Sequence, residues 1–192
     1  QSAVPYAFGT PDPGCAYINL GTGAFIQRPL PTRPQAPAPL IGSILALDGH
    51  GPLYSLEGSV NGAGAAVAWC AAKSGVSEPA LWSAFETLPG SAVPPLFINA
   101  VGGLGSPWWQ ARVAPEMIGT GTPVERFAAV IESIVFMIAE NLERMVDHGG
   151  VLRRVVVTGG LSRSDGLCRR LAATLGVPVQ RGGLEATARG VA

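Results

Sequence analysis

The chain has 192 residues, enough for one large domain or two small ones with a real core. Apolar residues make up 47% and charged residues 14%, which excludes intrinsic disorder. The formal net charge is zero, which gives no reason to expect a nucleic acid or an anionic membrane as partner, and no apolar run reaches the ~20 residues of a membrane helix.

Residues 15–29, CAYINLGTGAFIQRP, read as two short strands joined at Gly21-Thr22-Gly23, because apolar residues flanking a glycine turn signal a hairpin. The five prolines of residues 29–40 predict a surface loop or extended connector, not a central strand. Residues 41–58 offer two more strands around Asp48-Gly49 and Gly51-Pro52. Ser59 to Lys73 reads as a helix dense in glycine and alanine. Each interior glycine costs roughly 1 kcal/mol against alanine. Gly58, Gly62 and Gly64 therefore suggest that something approaches the backbone closely, either a packed neighbour or a ligand. Residues 94–109, PPLFINAVGGLGSPWW, predict a strand followed by a glycine-rich aromatic loop.

The clearest helix runs from Val124 to Val146. Phe127, Val130, Ile131, Ile134, Val135, Ile138, Leu142 and Met145 recur at the spacing of an amphipathic face, and His148-Gly149-Gly150 end it. A β-branched strand then enters Gly159-Gly160. A helix follows from about Ser164 to Leu175, with Gly176 as its stop, then a short strand at 177–180 and a last helix from near Glu185. Early antiparallel strands followed by alternating helices and strands suit a ribonuclease-H-like α/β domain, a mixed sheet flanked by helices.

The chemistry-bearing positions carry modest signals one by one. Gly159-Gly160, with Ser162, Ser164 or Asp165 as helix cap, places unpaired N–H groups where a phosphate would be favoured; a plain strand-turn-helix junction explains the same pattern. Gly21-Thr22-Gly23 offers turn amides and a hydroxyl to an anion, or is simply a turn. Glu57 is expected to cap the following helix in preference to ligating a cation, and Glu132 to be a buried, paired carboxylate. His50 and His148 lie in turn-like segments with no Ser or Asp partner for a triad. Trp108-Trp109 is expected in the core in preference to a ligand cleft. Cys15, Cys70 and Cys168 fit no zinc, redox or disulfide spacing, so a reduced cytoplasmic setting is expected. Lys73 is the one lysine against twelve arginines, a composition bias without chemical meaning.

In order, INLGTGAFI, YSLEGSVNGAGAAVAW, GGLGSPWW, AAVIESIVF, VVVTGGLSRSDGL and LEATARGVA resemble the C-terminal domain of the FGGY carbohydrate kinases, the group of glycerol kinase, xylulokinase and gluconokinase. The resemblance covers nearly the whole chain. It implies an actin-like fold of two ribonuclease-H-like domains with ATP and Mg²⁺ in the cleft between them, the present chain being the second domain. Thr22, flanked by Gly21 and Gly23, then corresponds to the threonine at the terminal phosphates. Gly64 lies at the nucleotide, and Gly160, preceded by Gly159, along its adenosine part. Ser164 stands where glycerol kinase has a nucleotide-binding asparagine, Ala68 where it has a glutamine, Thr158 where it has aspartate, and Phe25 where a phenylalanine lines the substrate pocket. Gln110 to Pro115 depart from the family's Asp-Pro-x-Ala-Arg-Gly. These departures argue against a glycerol kinase proper and leave the sugar or polyol open.

The resemblance also implies that the family's general-base aspartate sits immediately before Gln1. The chain starts without Met and stops at Ala192 inside a helix-like segment, so it reads as a piece of a longer protein, with a truncated last helix and no catalytic residue of its own. Its expected partners are a small carbohydrate and its own N-terminal domain, with a homo-oligomer left open. The alternatives are a non-catalytic, actin-like nucleotide-binding or regulatory protein, and an interaction module that docks through Trp108-Trp109.

Overall fold

The Gly21-Thr22-Gly23 turn joins β1 (Cys15–Leu20) and β2 (Ala24–Leu30) into an antiparallel hairpin whose register runs from Tyr17↔Gln27 to Leu20↔Ala24. The computed structural model describes residues 2–34, 39–49, 51–89, 93–183 and 186–191. Gln1, His50 and Glu185, on which sequence expectations rest, lie outside them. β2 is a central strand and includes Pro29, contrary to the expectation for residues 29–40. The register explains this. Pro29 pairs with Ser55 but lies beyond the last β1 partner, Gln27, so its missing N–H costs no bond to β1.

The strands β3 (Ile41–Asp48) and β4 (Gly51–Val60) extend the sheet on one side. On the other, β7 (Arg154–Thr158) lies parallel to β1, and β8 (Val179–Arg181) parallel to β7. The order is β3-β4-β2-β1-β7-β8, the mixed sheet expected from the sequence. A small separate pair is formed by β5 (Leu96–Ile98) and β6 (Glu116–Ile118), the latter not foreseen.

One face of the large sheet carries the main core. Ile18, Leu20, Ile26, Leu56, Val155 and Val157 meet α1 (Gly64–Ser74), α2 (Glu78–Glu86), α3 (Pro123–Gly149) and α4 (Asp165–Leu175). The other face is covered over β1 and β7 by a 3-10 turn at Pro5–Phe8 and the short α5 (Ala186–Arg189), which enclose Cys15, Tyr17 and Val156. Burial pushes the Cys15 thiol up, and Tyr17 up to about 12. All three cysteines are free thiols.

The long α3 begins with a capping box: Thr122 accepts from the Glu125 amide while the Glu125 carboxylate accepts from the Thr122 amide. That bond holds the Glu125 carboxyl below its ordinary range. Glu132 is paired as expected, with Arg170 3.8 Å away, but it is half-buried and not buried; desolvation raises its pKa and Arg170 opposes the rise. His148 belongs to the last turn of α3, not to a loop.

α3 terminates on an unforeseen device. Arg28, on the core side of β2, is fully buried. Its guanidinium donates to the carbonyls of Pro13, Met145, Gly149, Gly150 and Val151 at 2.6–3.2 Å. Desolvation lowers its pKa. The partial negative charge of the helix C-terminus favours a cation there. Gly149 is required for the approach, since a Cβ would fall 2.7 Å from the guanidinium carbon.

The glycine-rich helix begins later than expected. Ser59 and Val60 still pair with Phe25 and Ala24, so α1 starts only at Gly64. Each glycine around that junction receives a close protein neighbour. A Cβ at Gly58 would meet Asn141 Oδ1 at 2.4 Å, at Gly62 Asn99 Oδ1 at 2.3 Å, and at Gly64 the Gly21 carbonyl at 2.8 Å. Asn141 and Ser106 bond each other (2.6 Å), and Ser106 also takes the Ser59 amide (2.6 Å), which ties the aromatic loop to β4. Glu57 lies within β4 and not at a helix start; it accepts from Ser43 Oγ and from Gln27 Nε2 (3.5 Å), so it caps nothing.

Candidate functional site

The parallel neighbours β1 and β7 end side by side, and the backbone that leaves them frames a cleft. In α/β sheets that crevice, at the carboxyl ends of the strands, is the usual ligand position. The turn after β1 is Gly21-Thr22-Gly23, and the loop after β7 starts with Gly159-Gly160.

The start of α1 is pressed onto the hairpin turn. Ala63 N and Ala65 N donate to the Thr22 carbonyl (3.2 and 2.9 Å), and Gly64 N to the Gly21 carbonyl (2.9 Å). These amides are consumed within the protein, so the positive end of α1 offers no free N–H here. The donors left at the turn are Thr22 N and Gly23 N, which have no backbone acceptor among the described residues, and the Thr22 hydroxyl on an exposed residue. An anion at this position would be met by the turn itself.

The two glycines after β7 have different roles. Gly159 has φ +86, and a Cβ there would stand 2.5 Å from the Leu20 carbonyl, so shape and strain both demand glycine. Its carbonyl accepts from Ser162 Oγ (2.7 Å), which closes the 3-10 turn at Gly160–Arg163. A Cβ on Gly160 would meet nothing within 4 Å: its Cα faces the open cleft.

Two connected hollows result. The first, 340 Å³, is lined by Gly21, Thr22, Gly64, Ala68, Gly160 and Leu161 among others. The second, 510 Å³, shares Gly160 and Leu161 and continues along Glu78, Trp82, Glu86 and Ser164. Five positions singled out in the sequence (Gly21, Thr22, Gly64, Ala68 and Gly160) therefore converge on one hollow, and Ser164 borders its extension. Gly23 and Gly159 shape the walls and are not among the lining residues. Phe25 is 44% exposed on β2 but does not line either hollow. Thr158 is buried, its hydroxyl donating to the Ile18 carbonyl at 3.4 Å.

The second hollow is built largely by α2, a helix not among the elements expected from the sequence. Trp82 stands edge-on to Phe127 (4.9 Å between centroids) and donates its Nε1–H to Glu78 (3.2 Å). Glu86 reaches the start of α4. Its Oε1 accepts from Ser164 Oγ (2.5 Å) and its Oε2 from Gly166 N (2.8 Å), while Ser164 Oγ accepts from Leu167 N (3.1 Å). Ser164 is thus the N-cap of α4, one of the roles its position suggested. The signal that could have revealed α2 was Ser77-Glu78-Pro79, a cap residue before an acid and a proline, ahead of Leu81, Trp82 and Phe85.

The aromatic pair lies away from this cleft and is not core: Trp108 is 42% and Trp109 47% exposed. Trp109 has φ +50 and donates its Nε1–H to the Pro39 carbonyl (2.6 Å). Among the described residues no helix is long and apolar enough to cross a membrane, and no group of three His, Cys, Asp or Glu could hold a metal ion.

Residues 16–192 match the family model described as the C-terminal domain of the FGGY family of carbohydrate kinases. Over its full length the chain is 34% identical to glycerol kinases of Gloeobacter violaceus and Alkalilimnicola ehrlichii, and it spans 40% of each. Among solved structures it is similar to Plasmodium falciparum glycerol kinase with ADP (TM-score 0.89, 22% identity, 99% of this chain and 39% of that one). A ligand-bound xylulose kinase from Lactobacillus acidophilus is also similar (TM-score 0.83, 19% identity, 98% and 39%).

Proposed function

This chain belongs to the FGGY family of carbohydrate kinases, as its C-terminal domain, and from that premise we propose that its cleft holds the nucleotide of an ATP-dependent sugar or polyol kinase. The observation that carries the reading is the convergence of Gly21, Thr22, Gly64, Ala68 and Gly160, from distant parts of the chain, on one hollow at the ends of β1 and β7. The terminal phosphates lie against the Gly21-Thr22-Gly23 turn, where two amides and a hydroxyl have no partner among the described residues, and the adenosine part runs over Gly160 toward Trp82 and Ser164. Gly159 lets its loop lie close against β1, and Gly23 lets the turn lie close against the end of β4. Phe25, beside the turn, faces the substrate.

In the whole enzyme a substrate hydroxyl attacks the γ-phosphorus in line and ADP leaves. Such transfer depends on positioning and on neutralising charge at the phosphate oxygens. Mg²⁺ would supply part of that neutralisation when bound, and among the described residues no cluster of His, Cys, Asp or Glu could hold it. The chain spans 40% of the length of its glycerol kinase relatives. In this reading an N-terminal domain supplies the second wall of the cleft, the general-base aspartate and most substrate contacts, and the isolated domain is expected to be inactive. The 34% identity favours a small polyol, and the departures at Ala68, Thr158 and Gln110–Pro115 leave other sugars open.

The test is ADP release by the full-length protein across polyols, ketoses and sugar acids. One class is expected to raise ADP release at least about a hundredfold over the substrate-free rate, in line with general-base assistance alone. ADP binding without release for any of them would replace the kinase by a non-catalytic nucleotide-binding protein.

A further inference from the structure

Ser164 borders the cleft with its hydroxyl already committed. Its one proton goes to Glu86 Oε1 (2.5 Å), and one lone pair takes the Leu167 amide (3.1 Å). A serine oxygen has one proton and two lone pairs. What it still presents is a single lone pair, so at this point the wall can only accept a hydrogen bond. Glu86 cannot turn round to release the proton, because its other oxygen accepts from the Gly166 amide (2.8 Å) and, at 3.5 Å, from Arg169. Glu86 itself lines the same 510 Å³ hollow, as does Glu78, a second carboxylate.

We propose that Glu86 is a specificity-positioning residue: by pinning Ser164 as an acceptor, it makes the hollow select a base that carries an exocyclic amine, such as adenine, over a keto base. The proposal rests on the nucleotide reading of the cleft given above. An amine of the 6-amino type donates to the Ser164 lone pair. A 6-keto oxygen at the same place meets a lone pair and two carboxylate side chains, which leaves it desolvated and unpaired. Sites that reject a substrate through an unmatched buried polar group discriminate more sharply than sites that only measure size. Ser83 and Arg163 line the same hollow and carry donors, so the selection rests on the Ser164 position itself.

The experiment compares ADP with inosine diphosphate, which replaces the 6-amine by a keto group and keeps the ribose and phosphates. Calorimetric titration of the full-length protein is expected to show ADP binding about tenfold more tightly, the worth of one net hydrogen bond. Glu86→Gln keeps an acceptor for Gly166 and turns an amide N–H toward Ser164 Oγ, which frees the serine proton to point outward. Its ADP preference is expected to vanish or reverse, with inosine diphosphate bound at least as well as by the wild type. Ser164→Ala is expected to abolish the preference without reversing it. The ratio of the two affinities is the readout, and a merely structural loss would lower both together. Equal binding of the two nucleotides by the wild type, or an unchanged ratio in Glu86→Gln or in Ser164→Ala, would overturn the proposal while leaving the nucleotide site standing. Failure of the folded wild type to bind either nucleotide would instead overturn the nucleotide reading itself.

Discussion

Arg28→Met is expected to lower the stability of this domain by about 3–5 kcal/mol, because it removes several hydrogen bonds to a charged group at once, each worth roughly 1.5–3 kcal/mol. The side chain is similar in length and apolar, so the void is small; the loss is in hydrogen bonding. The carbonyls of Met145, Gly149, Gly150, Val151 and Pro13 all face the guanidinium, and the bond to Met145 is fully buried. A buried acceptor left without a donor costs roughly 1–3 kcal/mol, and the outer carbonyls recover part of that from water. Arg28→Lys should recover little, because one compact ammonium cannot span carbonyls that a planar fork reaches from both sides. Thermal unfolding checks this: a drop of roughly 6–20 °C is expected for a domain of this size. A shift of a degree or less would mean that the helix end is held by other contacts.

The second large effect separates two adjacent glycines. Gly159→Ala should damage the fold and the site together. Its φ of +86 is costly for alanine, and the new Cβ would stand 2.5 Å from the Leu20 carbonyl, which belongs to a central strand and cannot yield. The loop must lift off β1, and nucleotide affinity is expected to fall about a hundredfold, in keeping with the cost of small misplacements in such sites. Gly160→Val should behave differently. No atom lies within 4 Å of a Cβ there, so the unfolding midpoint stays near that of the wild type while the side chain fills the path of the nucleotide. ADP affinity is expected to drop at least about tenfold. If Gly160→Val binds ADP as the wild type does, the adenosine part does not pass over this loop.

What could be read ahead of the structure was whatever is local. α3 announced itself by a long apolar stripe, and the hairpin by two glycines around Thr22. Gly176 does end α4 with a left-handed residue, as its position suggested. Errors arose where one pattern runs into the next. Ser59 and Val60 look like the start of an alanine-rich helix, yet their pairing with β2 keeps them in β4, and that shift moved Glu57 from a supposed cap into mid-strand. The size of Trp108 and Trp109 predicts core positions, but the loop that carries them is anchored by Ser106 and Asn141, and the two rings stand at the surface.

The cleft was legible only by resemblance. No single glycine among Gly21, Gly64 and Gly160 announces a shared hollow, since each pattern also fits an ordinary turn. The remaining features depend on partners far along the chain. Arg28 meets carbonyls 117 to 123 residues away, and Glu86 meets Ser164 across 78. Nothing in the local sequence marks either pair. The α2 helix that supplies Trp82 and Glu86 is only nine residues long, too short for its apolar spacing to stand out.

Hydrogen exchange of the full-length protein, with and without saturating ADP, tests the central claim most directly. The Thr22 and Gly23 amides and those at Gly160–Leu161 should become protected, whereas the Gly21, Ala63, Gly64 and Ala65 amides, already bonded, should change little. Saturable ADP binding that leaves both of those segments unprotected would place the nucleotide elsewhere and contradict the account.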